Sequence, residues 1–198
     1  MGHKISLAGA VVAAVLTAAA SSVSAQGKSG GPISVWNPII AASVERLSAE
    51  SRSWRDALDA VAATGRRAVI TTSDTVKGAD LTALAQVEPI VDDDSRVDTV
   101  VVIVNLDLLR KLSRLPVDAT DFEDDLDRIL AHEVYGHAIP FLLAGSMSGK
   151  CADPVVGQSA IAACAIQREN IIRREMQLGQ RVEYGRESLA IARRNWNY

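Results

Sequence analysis

Hydrophobic residues recur along the chain in two patterns, and each pattern predicts one kind of element. From Trp36 to Thr64 they return at roughly helical spacing, and Gly65 follows as a stop signal, so this stretch predicts a helix. The β-branched residues of Arg67–Thr72 predict a strand. The unbroken apolar run Val100–Val104 predicts a second strand, and such runs are typical of strands covered on both faces.

Other segments complete the predicted fold. Residues 81–87 fit either a short helix or a loop, and residues 106–115 favour a short helix. Thr120–Glu123 matches a capping box, so a longer helix begins there, and residues 155–179 predict another. Helices packed around a small mixed β-sheet make the predicted class α+β.

The first 25 residues have the composition of a secretory signal. Lys4 gives a positive start, residues 5–20 are apolar, and small residues precede a cleavage site after Ala25. A retained anchor helix is the alternative, although the segment is short and alanine-rich. We therefore expect a secreted or periplasmic protein with no stable membrane anchor after cleavage, in which residues 26–32 form a flexible lead-in and residues 33–198 one domain.

Charge and cysteine content narrow the expected partners and compartment. The net charge is only −3 and the basic residues are scattered, so no nucleic-acid partner is expected. The two cysteines, Cys151 and Cys164, predict a disulfide because an exported chain meets an oxidising compartment. Two buried free thiols are the alternative.

The candidate chemistry lies in the six-residue stretch that reads His-Glu-Val-Tyr-Gly-His. It contains His132, Glu133 and His137, and the chain's third histidine, His3, lies in the signal segment. The zinc-peptidase signature H-E-x-x-H is one residue shorter. On a regular helix, residues five apart point about 140° apart, so these two histidines would diverge. The alternative reading is an ordinary helix with a Glu133–His137 pair and His132 at its surface.

A local distortion of the helix would bring the two histidines together. A π-bulge absorbs one extra residue and is often found at functional sites. Pro140 has no N–H for the carbonyl of Gly136, four residues earlier, and Gly136 tolerates unusual backbone angles. The sequence therefore predicts a bulged helix between the histidines and the proline.

A third metal ligand is expected on the next predicted helix, because no further histidine or cysteine pair is available. Glu169 is the candidate, and Arg173 lies four residues later on the same helix face. The alternative for this pair is a solvated ion pair worth a few tenths of a kcal/mol.

Two segments together, "HEVYGHA" at 132–138 and "ENIIRREMQLGQR" at 169–181, resemble a known family. They are similar to the zincin metallopeptidases of the gluzincin kind, to the H-E-x-x-G-H motif of the dipeptidyl peptidase III family, and to small metallopeptidase domains of bacterial effectors and polymorphic toxins. The resemblance implies a zincin-like fold and one Zn²⁺ ion held by His132, His137 and Glu169, with Glu133 as general base.

The expected function is an exported zinc-dependent peptidase that acts on a peptide or protein substrate. A zinc amidase acting on cell-wall peptide and a non-catalytic binding protein on the same scaffold are the alternatives. Arg173, Tyr135 and Tyr184 are candidates for stabilising the oxyanion. Either Val100–Val104 or Arg67–Thr72 would pair with an extended peptide along the cleft, and the more polar Arg67–Thr72 is favoured.

Overall fold

The structure is a computed structural model of the chain, and it describes residues 31–76, 82–91, 97–113, 122–145 and 160–181. The strands in these ranges are β1 (Ile33–Val35), β2 (Arg67–Thr72), β3 (Ala85–Val91) and β4 (Val97–Val104). The α-helices are α1 (Pro38–Glu50), α2 (Arg52–Ala62), α3 (Leu106–Ser113), α4 (Phe122–Leu130), α5 (Ile139–Ala144) and α6 (Ala160–Glu175). A 3-10 turn spans Ser73–Thr75, and a π-helix, Ala131–Ala138, joins α4 to α5.

The four strands form one mixed sheet in the order β1-β2-β4-β3. β1, β2 and β4 are parallel, whereas β3 pairs antiparallel with β4 and forms an edge. The apolar run Val100–Val104 is fully covered, as its composition predicts. Sheet and helices together confirm the α+β class.

The prediction that Arg67–Thr72 is an exposed strand is wrong. β2 lies between β1 and β4, and its residues Ala68–Thr72 are buried. Its two threonines make its composition more polar than that of β4. The hydroxyl of Thr71 nevertheless has a hydrogen-bond partner inside the protein, because it lies 2.7 Å from the hydroxyl of Thr75. β4 is also interior, so neither strand proposed from the sequence offers a free edge to a peptide.

The edge strand β3 overlaps residues 81–87, for which the sequence predicted either a short helix or a loop. Its residues are mostly half-buried, as expected for a strand at the border of a sheet. Pro89 lies within it, and proline argues against a central strand because it cannot donate to the ladder. β3 pairs with the next strand along the chain, from Val91 with Val97 to Ala85 with Val104, so the two form an antiparallel pair of consecutive strands.

The long helix predicted between Trp36 and Thr64 is two helices, divided at Ser51. The Ser51 backbone N–H closes α1 on the carbonyl of Leu47, and its hydroxyl accepts a bond from the N–H of Trp54 at 3.1 Å, which caps α2. Glu175 of α6 accepts a bond from the same hydroxyl at 2.5 Å. One serine thus ends one helix, begins the next and ties both to α6.

The π-helix lies at the centre of this arrangement. It packs mainly against α6 and also contacts β3 and β4. Most of its residues are buried. The edge strand and α6 therefore both border the segment that carries the two histidines.

Candidate metal centre

The helix that carries the His-Glu-His motif is distorted throughout, as the extra residue requires. All eight residues of Ala131–Ala138 are π-helical, and the N–H of Ile139 donates to the carbonyl of Val134, five residues earlier. The wider turn brings residues five apart onto one face. The predicted distortion is therefore confirmed, although it is a complete π-helix rather than a single bulge.

The two histidines face each other across this widened turn. Nε2 of His132 lies 3.3 Å from Nε2 of His137. Their ring centroids are 4.8 Å apart and the rings are nearly perpendicular, at 85°. Both side chains are buried, and Nδ1 of His137 has no hydrogen-bond partner in the described part of the chain. Two ligand atoms bound to one tetrahedral zinc at about 2.0–2.1 Å lie about 3.3–3.4 Å apart, so this spacing fits two ligands of one ion.

Glu169 of α6 reaches the other nitrogen of the His132 ring. Its Oε2 atom lies 2.8 Å from Nδ1 of His132, and the carboxylate is 1 % exposed. The carboxylate and His137 therefore contact opposite nitrogens of one imidazole. This is the arrangement by which a carboxylate orients a histidine that binds a metal through its other nitrogen.

Two arginines hold Glu169 in its charged form. Nη2 of Arg173 lies 2.5 Å from Oε1, and Nη1 of Arg181 lies 3.5 Å from Oε2. Burial alone would raise the pKa of Glu169, but the hydrogen bond with His132 and the charges of His132, Arg173 and Arg181 lower it to about 2. Glu169 is therefore a carboxylate at every physiological pH.

The side chain of Arg173 is buried and contacts other residues of the site. It is 1 % exposed, and its Nη1 atom donates to the carbonyl of Gly179 at 2.7 Å, so it joins Glu169 to the segment after α6. Both Nη atoms of Arg173 are therefore engaged, one with Glu169 and one with Gly179. Its proposed role on the oxyanion stays a prediction.

Arg181 is a site residue that the sequence reasoning missed. Asn170 fixes its backbone with two bonds of 2.7 Å, since the Asn170 amide donates to the Arg181 carbonyl and accepts from the Arg181 N–H. The Arg181 guanidinium thereby comes to Glu169, and its charge also lowers the pKa of Glu133. No periodic pattern marks this position, because it follows the end of α6.

Glu133 follows His132 directly in the chain, and its carboxyl group has a raised pKa. Burial raises its pKa, and the charge of Glu169 acts in the same direction, while His132 and Arg181 oppose it. The side chain of Glu133 takes part in none of the hydrogen bonds or ion pairs found among the described residues. By contrast, burial and the neighbouring positive charges lower the pKa of His137 to about 4, so this ring is neutral at pH 7.

The remaining candidates of the sequence lie elsewhere. Tyr135 is half-buried, and burial raises its pKa. A hydrogen bond with Ser53 of α2 lowers that pKa, and the charge of Glu175 of α6 raises it. Tyr184 lies outside the described residues, so its role stays a prediction. Cys164 lies buried on α6, but Cys151 is outside the described residues, and their disulfide also stays a prediction.

The three predicted ligands are neighbours, yet they do not meet at one point. Among the described residues, no group of three or more His, Cys, Asp or Glu side chains is arranged so that it holds a metal as it stands. The reason lies in the contacts above: Glu169 is bound to Nδ1 of His132, whereas His137 faces Nε2. The two Nε2 atoms face each other, and the carboxylate lies on the far side of the His132 ring.

Comparison of the chain with family models, with curated proteins and with solved structures finds no match. In the described part of the chain, no helix has both the length and the apolar composition that crossing a membrane requires. Residues 1–25, for which the sequence predicts a secretory signal, lie outside the described residues, so that signal stays a prediction. The function of the chain is therefore inferred from the residues of the site themselves.

Proposed function

We propose that this chain is an exported zinc-dependent peptidase with a zincin-like fold, and that His132, His137 and Glu169 hold one zinc ion. The observation that carries the proposal is the π-helix, which sets the two Nε2 atoms 3.3 Å apart inside a buried site. An α-helix would have separated them. The geometry requires a costly distortion of the backbone, and such distortions are concentrated at functional sites.

The protonation states of the site support metal binding. A metal ligand must be a neutral imidazole or a carboxylate. Burial keeps His137 neutral because its pKa is lowered to about 4, and the pKa of Glu169 is lowered to about 2. Direct coordination by Glu169 requires its carboxylate to leave Nδ1 of His132; otherwise it acts by orienting that ring.

A zinc ion bound here would lower the pKa of a coordinated water and polarise the scissile carbonyl. Glu133 would accept the water proton at its carboxylate and return it to the leaving amine. Its pKa is raised, first by burial, which makes the carboxylate a stronger base for this proton transfer than an exposed glutamate. Arg181 pairs with Glu169, and its charge also lowers the pKa of Glu133, so it is a cation that acts on both carboxylates of the site.

The substrate would be an extended peptide paired with β3. This strand is an edge of the sheet and contacts the π-helix, so a peptide added along it would pass the histidines. Backbone hydrogen bonds to such an edge provide affinity, and alternate side chains provide specificity. β3 therefore takes the place that the sequence assigned to Arg67–Thr72.

Hydrolysis of a mixture of quenched fluorescent peptides tests the proposal. Glu133→Gln should retain the bound zinc and lose at least about 100-fold in rate, since general acid–base catalysis contributes about that much or more. Glu50→Gln, a change of an exposed carboxylate at the end of α1, is the matched control and should keep full activity. Zinc binding without hydrolysis in the wild type would instead favour a binding protein on this scaffold.

A further inference from the structure

Pro140 removes one of the backbone donors that a buried carbonyl of the motif could use. In an α-helix the carbonyl of Gly136 accepts from the N–H four residues later, but residue 140 is proline and has none. Gly136 is buried, so water does not replace the missing donor. A buried carbonyl without a partner is costly, so the Gly136 carbonyl needs either the N–H five residues later, as in a π-helix, or a donor from a side chain.

Arg168 of α6 provides the missing donor. Its Nη1 atom donates to the carbonyl of Gly136 at 2.9 Å. Arg168 is partly buried, and burial lowers its pKa, so the side chain has given up some of its solvation to make this contact. Hydrogen bonds from a charged donor are about twice as strong as those between neutral groups.

Gly136 also allows α6 to come close enough for this bond. A Cβ atom at Gly136 would lie 3.2 Å from the carbonyl oxygen of Ala165 and 3.3 Å from its Cα atom. These are backbone atoms of α6, one turn before Arg168, and they have little freedom to move. The absence of a side chain at Gly136 is therefore what lets the two helices approach.

Two adjacent residues of α6 thus hold the two ends of the motif. Glu169 contacts His132 at its start, and Arg168 holds the carbonyl of the residue directly before His137. We propose that Arg168 is a positioning residue, which replaces the backbone donor that Pro140 lacks and so maintains the π-helix that turns His137 towards His132. Only the consequence for metal binding rests on the proposed function; the role in maintaining the π-helix does not.

A double-mutant cycle in the metal-free protein tests this role. Arg168→Met should raise the unfolding equilibrium constant roughly tenfold or more, because it removes a charged hydrogen bond to a buried carbonyl. In a Pro140→Ala background the new N–H can donate to that carbonyl, so the same change should have less than about a threefold effect. Equal effects in both backgrounds, measured by urea denaturation, would overturn the proposal.

Arg174→Met is the matched control, because Arg174 lies on the same helix but is exposed. Its effect should be small and equal in both backgrounds. If Arg168→Met does not fold, Arg168→Lys can be used in the same cycle, since it keeps the charge and one donor; its smaller effect must again shrink in the Pro140→Ala background. A Lys variant whose effect is the same in both backgrounds contradicts the role.

Cobalt binding provides a readout at the histidines themselves. Arg168→Met should weaken Co²⁺ affinity at least about tenfold, the range seen when groups that orient metal ligands are removed, while Arg168→Lys stays closer to the wild type. Unchanged cobalt affinity and absorption in Arg168→Met would refute the positioning role. If the wild type itself binds no cobalt, the proposed function fails, whereas the unfolding cycle still decides the role of Arg168.

Discussion

The buried charge cluster around Glu169 should dominate the stability of the site. Glu169→Gln preserves the shape of the side chain but removes the negative charge that faces Arg173 at 2.5 Å and Arg181 at 3.5 Å. Both Glu169 and Arg173 are 1 % exposed, so solvent cannot replace the lost counter-charge. Removing one partner of a buried ion pair costs about 3–5 kcal/mol, and we expect a loss of that size in the free energy of unfolding of the metal-free protein.

Asp56→Asn is the matched control for this measurement. Asp56 also forms an ion pair with an arginine four residues away, since its Oδ2 lies 3.4 Å from Nε of Arg52, but the two side chains are 65 % and 83 % exposed. Such pairs contribute at most about 0.5 kcal/mol. Both variants should be compared by urea denaturation at pH 7. If Glu169→Gln costs no more than Asp56→Asn, the buried cluster does not have the electrostatic importance assigned to it.

Three further outcomes are expected. Gly136→Ala should lower the free energy of unfolding by about 1–2 kcal/mol in urea denaturation, because overpacking against α6 exceeds the gain in helix propensity; an increase in stability would contradict the close approach. In the metal-free protein, the free energy of unfolding should fall by up to about 3 kcal/mol as pH drops from 6.5 towards 4, because the folded pKa of His137 is lowered to about 4 and the unfolded chain binds the proton first. His137→Gln should flatten this dependence on pH, and an unchanged dependence in that variant would contradict the assignment to His137. Ser51→Ala should cost about 1–2 kcal/mol in thermal melts, because it removes the cap of α2 and the bond to Glu175; a loss within error would rule out that capping role.

The distortion of the motif was predictable because its causes are local. Two histidines five residues apart, a glycine and a following proline all lie within nine residues, and each constrains the backbone there. The π-helix at Ala131–Ala138 is the outcome. The strands β2 and β4 were predictable for the same reason, since their β-branched runs are continuous.

The contacts that complete the site were not predictable, because they join distant parts of the chain. Arg168 bonds to Gly136 and Arg181 comes to Glu169 only after α6 packs on the π-helix and Asn170 fixes the segment that follows. The position of β2 within the sheet likewise depends on its neighbours. A strand's composition indicates burial, but it does not indicate which strand becomes the edge.

Zinc uptake by purified protein is the most direct test of the central claim that the π-helix creates a metal site. We predict one zinc ion per chain by elemental mass spectrometry, after the protein is incubated with zinc and dialysed to remove unbound zinc. His132→Ala and His137→Ala should each lose that ion. The stoichiometry should persist in Glu133→Gln, which leaves both ring nitrogens in place. A wild-type chain that takes up no zinc, or variants that bind it as well as the wild type, would contradict the account.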